Sequence, residues 1–139
     1  MIVYDTTFLF ALLDERDQGH RTATAWLHET EDEGAVTPLV LGELDYLSAS
    51  KLGAHARSAF RQDVAAGAYA VSWWPQAEVE AIRIAERYSD LGVSLTDGSL
   101  VALAARHGTT EIATFDERHF RAMQPLSHGT SFRLLPADA

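Results

Sequence analysis

Five short apolar segments recur along the chain: MIVY at 1–4, GAVT at 34–37, AYAVSW at 68–73, GVSL at 92–95 and EIATF at 111–115. Between them lie stretches whose apolar residues repeat at helical spacing. This alternation is the strongest constraint on the fold. Strands that are apolar at successive positions need cover on both faces, and an intervening helix returns the chain so that the next strand runs parallel. The expected class is α/β, with a mainly parallel central sheet of about five strands and helices on both faces. At 139 residues and 47% apolar content the chain suits one compact domain, 1–139, with no repeat, low-complexity run or linker to divide it.

The spacing predicts a helix over residues 18–32 that turns Ala23, Trp26 and Leu27 inward. A second is expected over 38–50, with Pro38 in the first turn, where its missing N–H costs nothing. Others are expected over 54–66, from Pro75 through Tyr88, and over 98–108, ending on Gly108 as a C-cap.

Composition narrows the class of function. The apolar run TTFLFALL lacks the basic flank of a signal peptide and soon meets the charged DERDQ, which speaks against secretion and against a membrane span. The absence of cysteine excludes disulfides and thiolate metal sites, and it suits a cytoplasmic protein. Twenty acidic residues against eleven basic ones give a net charge of -9, unfavourable for non-specific nucleic-acid binding. Lys51 is the only lysine, so positive charge rests on arginine, the better residue for bidentate phosphate or carboxylate contacts.

Three aspartates stand just past predicted strands: Asp5 after MIVY, Asp97 after GVSLT and Asp116 after EIATF. The carboxyl edge of an open α/β sheet is where ligands bind. Each aspartate also precedes a helix or turn, so helix capping is the competing reading. Glu43 is not explained that way. In PLVLGELDYLSAS it falls where the helical apolar stripe places the core face, and a buried carboxylate calls for a cation or a hydrogen-bond network; the alternative is a shifted stripe that leaves Glu43 solvated. Gly42 beside it leaves room for another backbone or a substrate to approach.

Taken in order, MIVYDTTFLFALL, TPLVLGELDYL, GVSLTDGSLVALAARHG and EIATFDERHF resemble PIN-domain ribonucleases, and specifically the toxins of VapBC-type toxin–antitoxin modules. The resemblance spans nearly the whole chain. It implies a PIN-like domain in which Asp5, Glu43, Asp97 and Asp116 hold Mg²⁺ or Mn²⁺ and carry catalysis. It also implies hydroxyl residues that hydrogen-bond the site, at Thr6 and Thr114, with Ser99 a further candidate. Gly98 departs from the small residue, commonly alanine, that follows the third acid in the family, and a glycine there loosens a helix start. Asp45 and Asp90 match no motif and read as surface charges.

An all-oxygen ligand set suits Mg²⁺ or Mn²⁺, cations that retain waters and take further ligands from phosphate. A metal so held polarises the phosphoryl group and acidifies a bound water for in-line attack. The resemblance supplies RNA as substrate, a homodimeric state, and a small VapB-type antitoxin whose arginine-bearing tail enters the acidic cleft. The rival reading is a non-catalytic PIN-like module for dimerisation or antitoxin binding. Two other α/β readings fail on residues: a haloacid-dehalogenase-like phosphatase wants an aspartate where Thr7 stands, and a receiver domain wants a lysine after the fifth strand.

Lys51, Arg57 and Arg61 are candidates to guide a phosphate backbone, or else form a solvated face, and Arg16, His20 and Arg21 are equally open. Trp73 and Trp74 suit base stacking, core packing or a subunit contact. None of the six histidines shows zinc-site spacing.

Overall fold

A computed structural model gives the fold of residues 1–139. The elements run β1 (Ile2–Tyr4), α1 (Thr6–Leu13), α2 (His20–Glu29), β2 (Gly34–Val36), α3 (Pro38–Leu47), α4 (Ala54–Ala65), β3 (Ala70–Val71), α5 (Ala77–Arg87), α6 (Leu95–His107), β4 (Glu111–Ala113), α7 (Glu117–Ala122) and β5 (Arg133–Leu135). The strands form one sheet in the order β3-β2-β1-β4-β5, and every pairing is parallel. Every residue of β1 and β2 is buried, so helices cover the central strands from both faces. The chain leaves β1 toward β2 and later returns to β1's other edge as β4. That reversal of direction opens a crevice past the carboxyl ends of β1 and β4.

Aromatic packing seats the N-terminal helices. Phe8 of α1 lies 5.1 Å from the Tyr4 ring and 5.4 Å from the Trp26 ring of α2. Of the residues expected to face inward on α2, Ala23 is buried and Trp26 packs on the core, while Leu27 is 37% exposed. Pro38 occupies the first turn of α3, as its place in the sequence predicts. That helix runs into one π-helical turn over Ser48–Leu52, so helical backbone extends slightly past the expected end. No helix is long and apolar enough to cross a membrane.

The segment GVSL is not a strand. Gly92 adopts a left-handed conformation (φ 71°), and Ser94 caps α6, whose first residue is Leu95. The fifth strand is RLL at 133–135, paired with β4 in the register Glu111↔Arg133 through Ala113↔Leu135. Gly108 closes α6 with φ 65°, as expected of a C-cap glycine.

Helix α6 is buried at every position from Thr96 to Ala104 and packs along α5. Gly98 sits at the closest approach, where a Cβ would collide with the backbone carbonyl of Ala81. Close packing, not a loosened helix start, accounts for this glycine. Gly98→Ala is expected to destabilise the protein by about 1–3 kcal/mol, since backbone on α5 has to move. Urea unfolding measures this, and an unchanged or higher midpoint would show that the two helices separate at no cost.

Candidate metal centre

Asp5 is the N-cap residue of α1, yet its side chain makes no capping hydrogen bond. The carboxylate, only 3% exposed, is held by two threonines from different parts of the chain: the Thr7 and Thr114 hydroxyls each donate to Oδ2 at 2.7 Å. Those hydroxyls in turn accept backbone N–H groups from the turn after β4. Thr114 Oγ accepts from Asp116 at 2.9 Å and Thr7 Oγ accepts from Phe115 at 3.0 Å. The same bonds therefore fix Asp5 and the approach of Asp116.

Asp97 and Asp116 do serve as helix-start residues, and they also face the crevice. In α6 the Ser94 hydroxyl accepts from the Asp97 N–H at 3.1 Å, while Asp97 Oδ2 accepts from the Ser94 N–H at 3.4 Å. This is a reciprocal capping box. Asp116 caps α7 through Oδ1, which accepts from the His119 N–H at 3.4 Å. Both carboxylates also converge on one ring nitrogen: His119 Nδ1 is 3.1 Å from Asp97 Oδ2 and 3.3 Å from Asp116 Oδ2. The ligand-capable atoms of Asp97, Asp116 and His119 all lie within 4.8 Å of one another.

Glu43 is exposed rather than buried. The inward positions on α3 and the turn after it are Val40, Leu44 and Ser48, whereas Tyr46 is 72% exposed, so the core stripe runs beside Glu43. Glu43 nevertheless lines the same cleft of about 530 Å³ as Asp5, Asp97 and Asp116. A Cβ on Gly42 would meet nothing within 4 Å, so no neighbouring backbone uses the space it leaves.

The three expected hydroxyl residues divide. Thr114 bonds Asp5 as described. Thr6 lines the cleft, but its buried hydroxyl finds no partner on the protein, and Thr7 takes the part expected of it. Ser99 lies outside the cleft lining. Its hydroxyl donates to the Thr96 carbonyl at 2.7 Å and lies 2.9 Å from the Thr37 hydroxyl, tying α6, which carries Asp97, to the N-cap of α3, which carries Glu43. His119 and Asp17 are ionisable cleft residues that the sequence pattern does not mark.

Burial dominates the electrostatics. It pushes the Asp5 carboxyl up to about 6, against the hydrogen bonds from Thr114 and Thr7, with the Asp97 charge adding to the rise. Asp97 is likewise raised, chiefly by burial and further by Asp116, while the Ser94 N–H and His119 hold it down. The cleft lining includes five acids, Asp5, Asp17, Glu43, Asp97 and Asp116, and neither lysine nor arginine. Crowded, desolvated carboxylates with hard oxygen donors suit a divalent cation, and the buried Thr6 hydroxyl beside Asp5 in the chain is left without a protein partner.

The candidate guiding cations lie elsewhere. Arg61 is engaged by Asp45 through Nε at 2.6 Å and Nη2 at 2.9 Å, so Asp45 is an ion-pair partner. Arg57 and Lys51 do not line the cleft, and Arg16 lies 3.6 Å from Asp14. Asp90 is exposed, as expected of a surface charge. Trp74 is a core residue, with Nε1 donating to Glu80 at 3.0 Å and Arg106 5.0 Å above its ring, while Trp73 is 40% exposed.

Comparison with known proteins agrees with this architecture. The sequence profile of the PIN domain matches residues 2–124. The chain is 35% identical over 136 residues to Ribonuclease VapC26 of Mycobacterium tuberculosis, a match covering 97% of this chain and all of that protein. Among solved structures, the M. tuberculosis toxin VapC20, described as cleaving the sarcin–ricin loop, superposes with a TM-score of 0.78 at 23% identity, covering 84% of this chain and 91% of that one. A toxin–antitoxin complex from Klebsiella pneumoniae gives 0.67 at 19% identity, covering 88% and 92% respectively. At those identities the structures speak to the fold, which they share with this chain. The profile match and the likeness to Ribonuclease VapC26 carry the assignment further: this chain belongs to the PIN-domain family, among its VapC-type ribonucleases.

Proposed function

We propose that the chain is a divalent-metal-dependent endoribonuclease that acts in the cytoplasm as the toxin of a VapBC-type pair. The observation that carries this reading is the convergence of Asp5, Glu43, Asp97 and Asp116 on one cleft that no lysine or arginine lines. Such a cleft repels a phosphodiester unless a cation lies between them. When bound, Mg²⁺ or Mn²⁺ supplies charge neutralisation at the phosphoryl oxygens and an acidified water.

The protein's own groups then divide the work. Asp97 and Asp116, fixed by their capping bonds, offer oxygens at one edge of the crevice. Asp5, held through Oδ2 by the Thr7 and Thr114 hydroxyls, is a further carboxylate at the cleft. Glu43, the exposed member, is the fourth carboxylate assigned to the cation. RNA as the substrate is supported by the ribonuclease relative.

The same acidic cleft suits the basic tail of a VapB-type antitoxin, and the expected assembly is a homodimer neutralised by that small partner. Purified protein is expected to cut RNA with Mn²⁺ or Mg²⁺ and to stop when EDTA is in excess, as resolved on a denaturing gel. Full cleavage in excess EDTA would overturn the metal mechanism.

A further inference from the structure

We propose that His119 is a ligand of the divalent cation, binding it through Nδ1 beside Asp97 and Asp116, and that this nitrogen makes the site prefer Mn²⁺ over Mg²⁺. The inference rests on the metal-dependent reading above and adds a ligand that the four-carboxylate pattern does not contain. It begins with the ring's other nitrogen. His119 Nε2 lies 3.0 Å from the backbone carbonyl of Leu91, and a carbonyl only accepts, so Nε2 carries a hydrogen. A metal-binding histidine is typically oriented this way, one ring N–H tied to a carbonyl or carboxylate while the opposite nitrogen turns to the ion.

The spacing around Nδ1 agrees. Neighbouring ligands of an octahedral ion with bonds of about 2.1 Å lie about 3 Å apart. The distances from Nδ1 to Asp97 Oδ2 and Asp116 Oδ2 are 3.1 and 3.3 Å. His119 is three residues past Asp116, the cap of α7, so a single helical turn presents both ligands. Thr6, next to Asp5 in the chain and only 5% exposed, is an independent sign of an incomplete polar site, since the residue lines the cleft and its buried hydroxyl has no protein partner. Mg²⁺ favours oxygen ligands, whereas an imidazole nitrogen raises affinity for transition metals. One nitrogen among the ligands therefore shifts selectivity toward Mn²⁺.

Pulsed electron paramagnetic resonance of the Mn²⁺-loaded protein reads the bond directly, because a coordinated imidazole nitrogen modulates the echo. The expected result is nitrogen modulation that changes when histidine alone carries ¹⁵N. His119 is the one histidine among the cleft-lining residues, so the wild-type measurement is informative without any variant. His119→Gln keeps a donor near the Leu91 carbonyl and removes Nδ1. In it the modulation should vanish, and the ratio of Mn²⁺ to Mg²⁺ affinity measured by calorimetry should fall about tenfold or more.

Bound Mn²⁺ without nitrogen modulation would overturn the assignment and leave the metal nuclease reading standing. Modulation that persists in His119→Gln would overturn it as well. Nitrogen modulation in a protein that cuts no RNA would support the ligand and sink the nuclease reading, and failure to bind Mn²⁺ at all would sink both.

Discussion

Asp5→Asn is expected to abolish RNA cleavage and, with divalent metal chelated at pH 7.5, to make the protein more stable. The two effects have opposite signs because one carboxylate causes both. Asp5 is 3% exposed and its carboxyl is pushed up to about 6 by burial, so at neutral pH the folded protein carries a charge that its surroundings disfavour. A rise of about two pKa units corresponds to roughly 3 kcal/mol. The amide still accepts from the Thr7 and Thr114 hydroxyls, so the network survives, and a gain of about 2 kcal/mol remains after the amide's own desolvation. Cleavage should fall by about three orders of magnitude, the equivalent of ~4 kcal/mol of transition-state stabilisation. Denaturant unfolding in EDTA and cleavage assays in Mn²⁺ check the pair. A variant less stable than the wild type would show that Asp5 is there for the fold. A stable variant with full activity would remove Asp5 from the site.

Much of this site was legible because strand ends and helix starts leave marks in sequence. Asp5 and Asp116 stand where MIVY and EIATF, which contain β1 and β4 respectively, deliver the chain to the carboxyl edge of the sheet. Asp97 reaches the cleft from a capped helix start and not from a strand end. GVSL looks like a strand because three of its residues favour burial or extension, but Val93 alone is buried, and Ser94 with Asp97 forms a capping box. The Ser-x-x-Asp spacing was the available signal. The real fifth strand, RLL, is three residues long and begins with an arginine paired to Glu111 at 2.7 Å, so its hydrophobic pattern is too brief to stand out.

Side-chain partnerships across the fold were the less legible part. Thr7 rather than Thr6 holds Asp5, a choice made by the direction each side chain takes from the first turn of α1. Tyr46 and Leu47 extend an apolar stripe through Glu43, yet the packing of α3 selects Val40 and Leu44 and leaves the tyrosine outside. His119 had no zinc-like spacing to mark it. Its link to Asp97 spans 22 residues and exists only because α6 and α7 begin at the same crevice. The compensation for capping also emerges only in three dimensions: Asp97 and Asp116 cap their helices and line the cleft together, so the two readings of an aspartate after a strand do not compete here.

The pH dependence of stability should flatten when metal is supplied. Asp5 has a folded-state pKa of about 6 against an ordinary value of 3.8, and Asp97 is raised in the same direction. A carboxyl raised on folding binds its proton more tightly in the folded state. The stability it contributes is therefore complete below about pH 4 and is lost as pH rises through about 6. Asp138 acts oppositely: hydrogen bonds from Arg121 lower it to about 2, so its contribution is lost as pH falls from about 4 toward 2. In EDTA the unfolding midpoint should accordingly peak near pH 4 to 5 and decline toward pH 7.5, with Asp5 accounting for about 3 kcal/mol of the decline at most. With Mn²⁺ the cation takes the place of the protons and binds only the ionised carboxylates, so its stabilisation grows across the same interval. A free concentration of about one hundred times Kd adds ~2.7 kcal/mol at the upper end. The gap between thermal midpoints in Mn²⁺ and in EDTA should thus be small at pH 4.5 and large at pH 7.5. Self-repulsion from the net charge of -9 also weakens the protein as pH rises, and Asp5→Asn separates the two causes by flattening only the part that belongs to the site. An EDTA profile with the same slope in wild type and Asp5→Asn would mean that Asp5 carries no raised pKa and that burial does not strain the site.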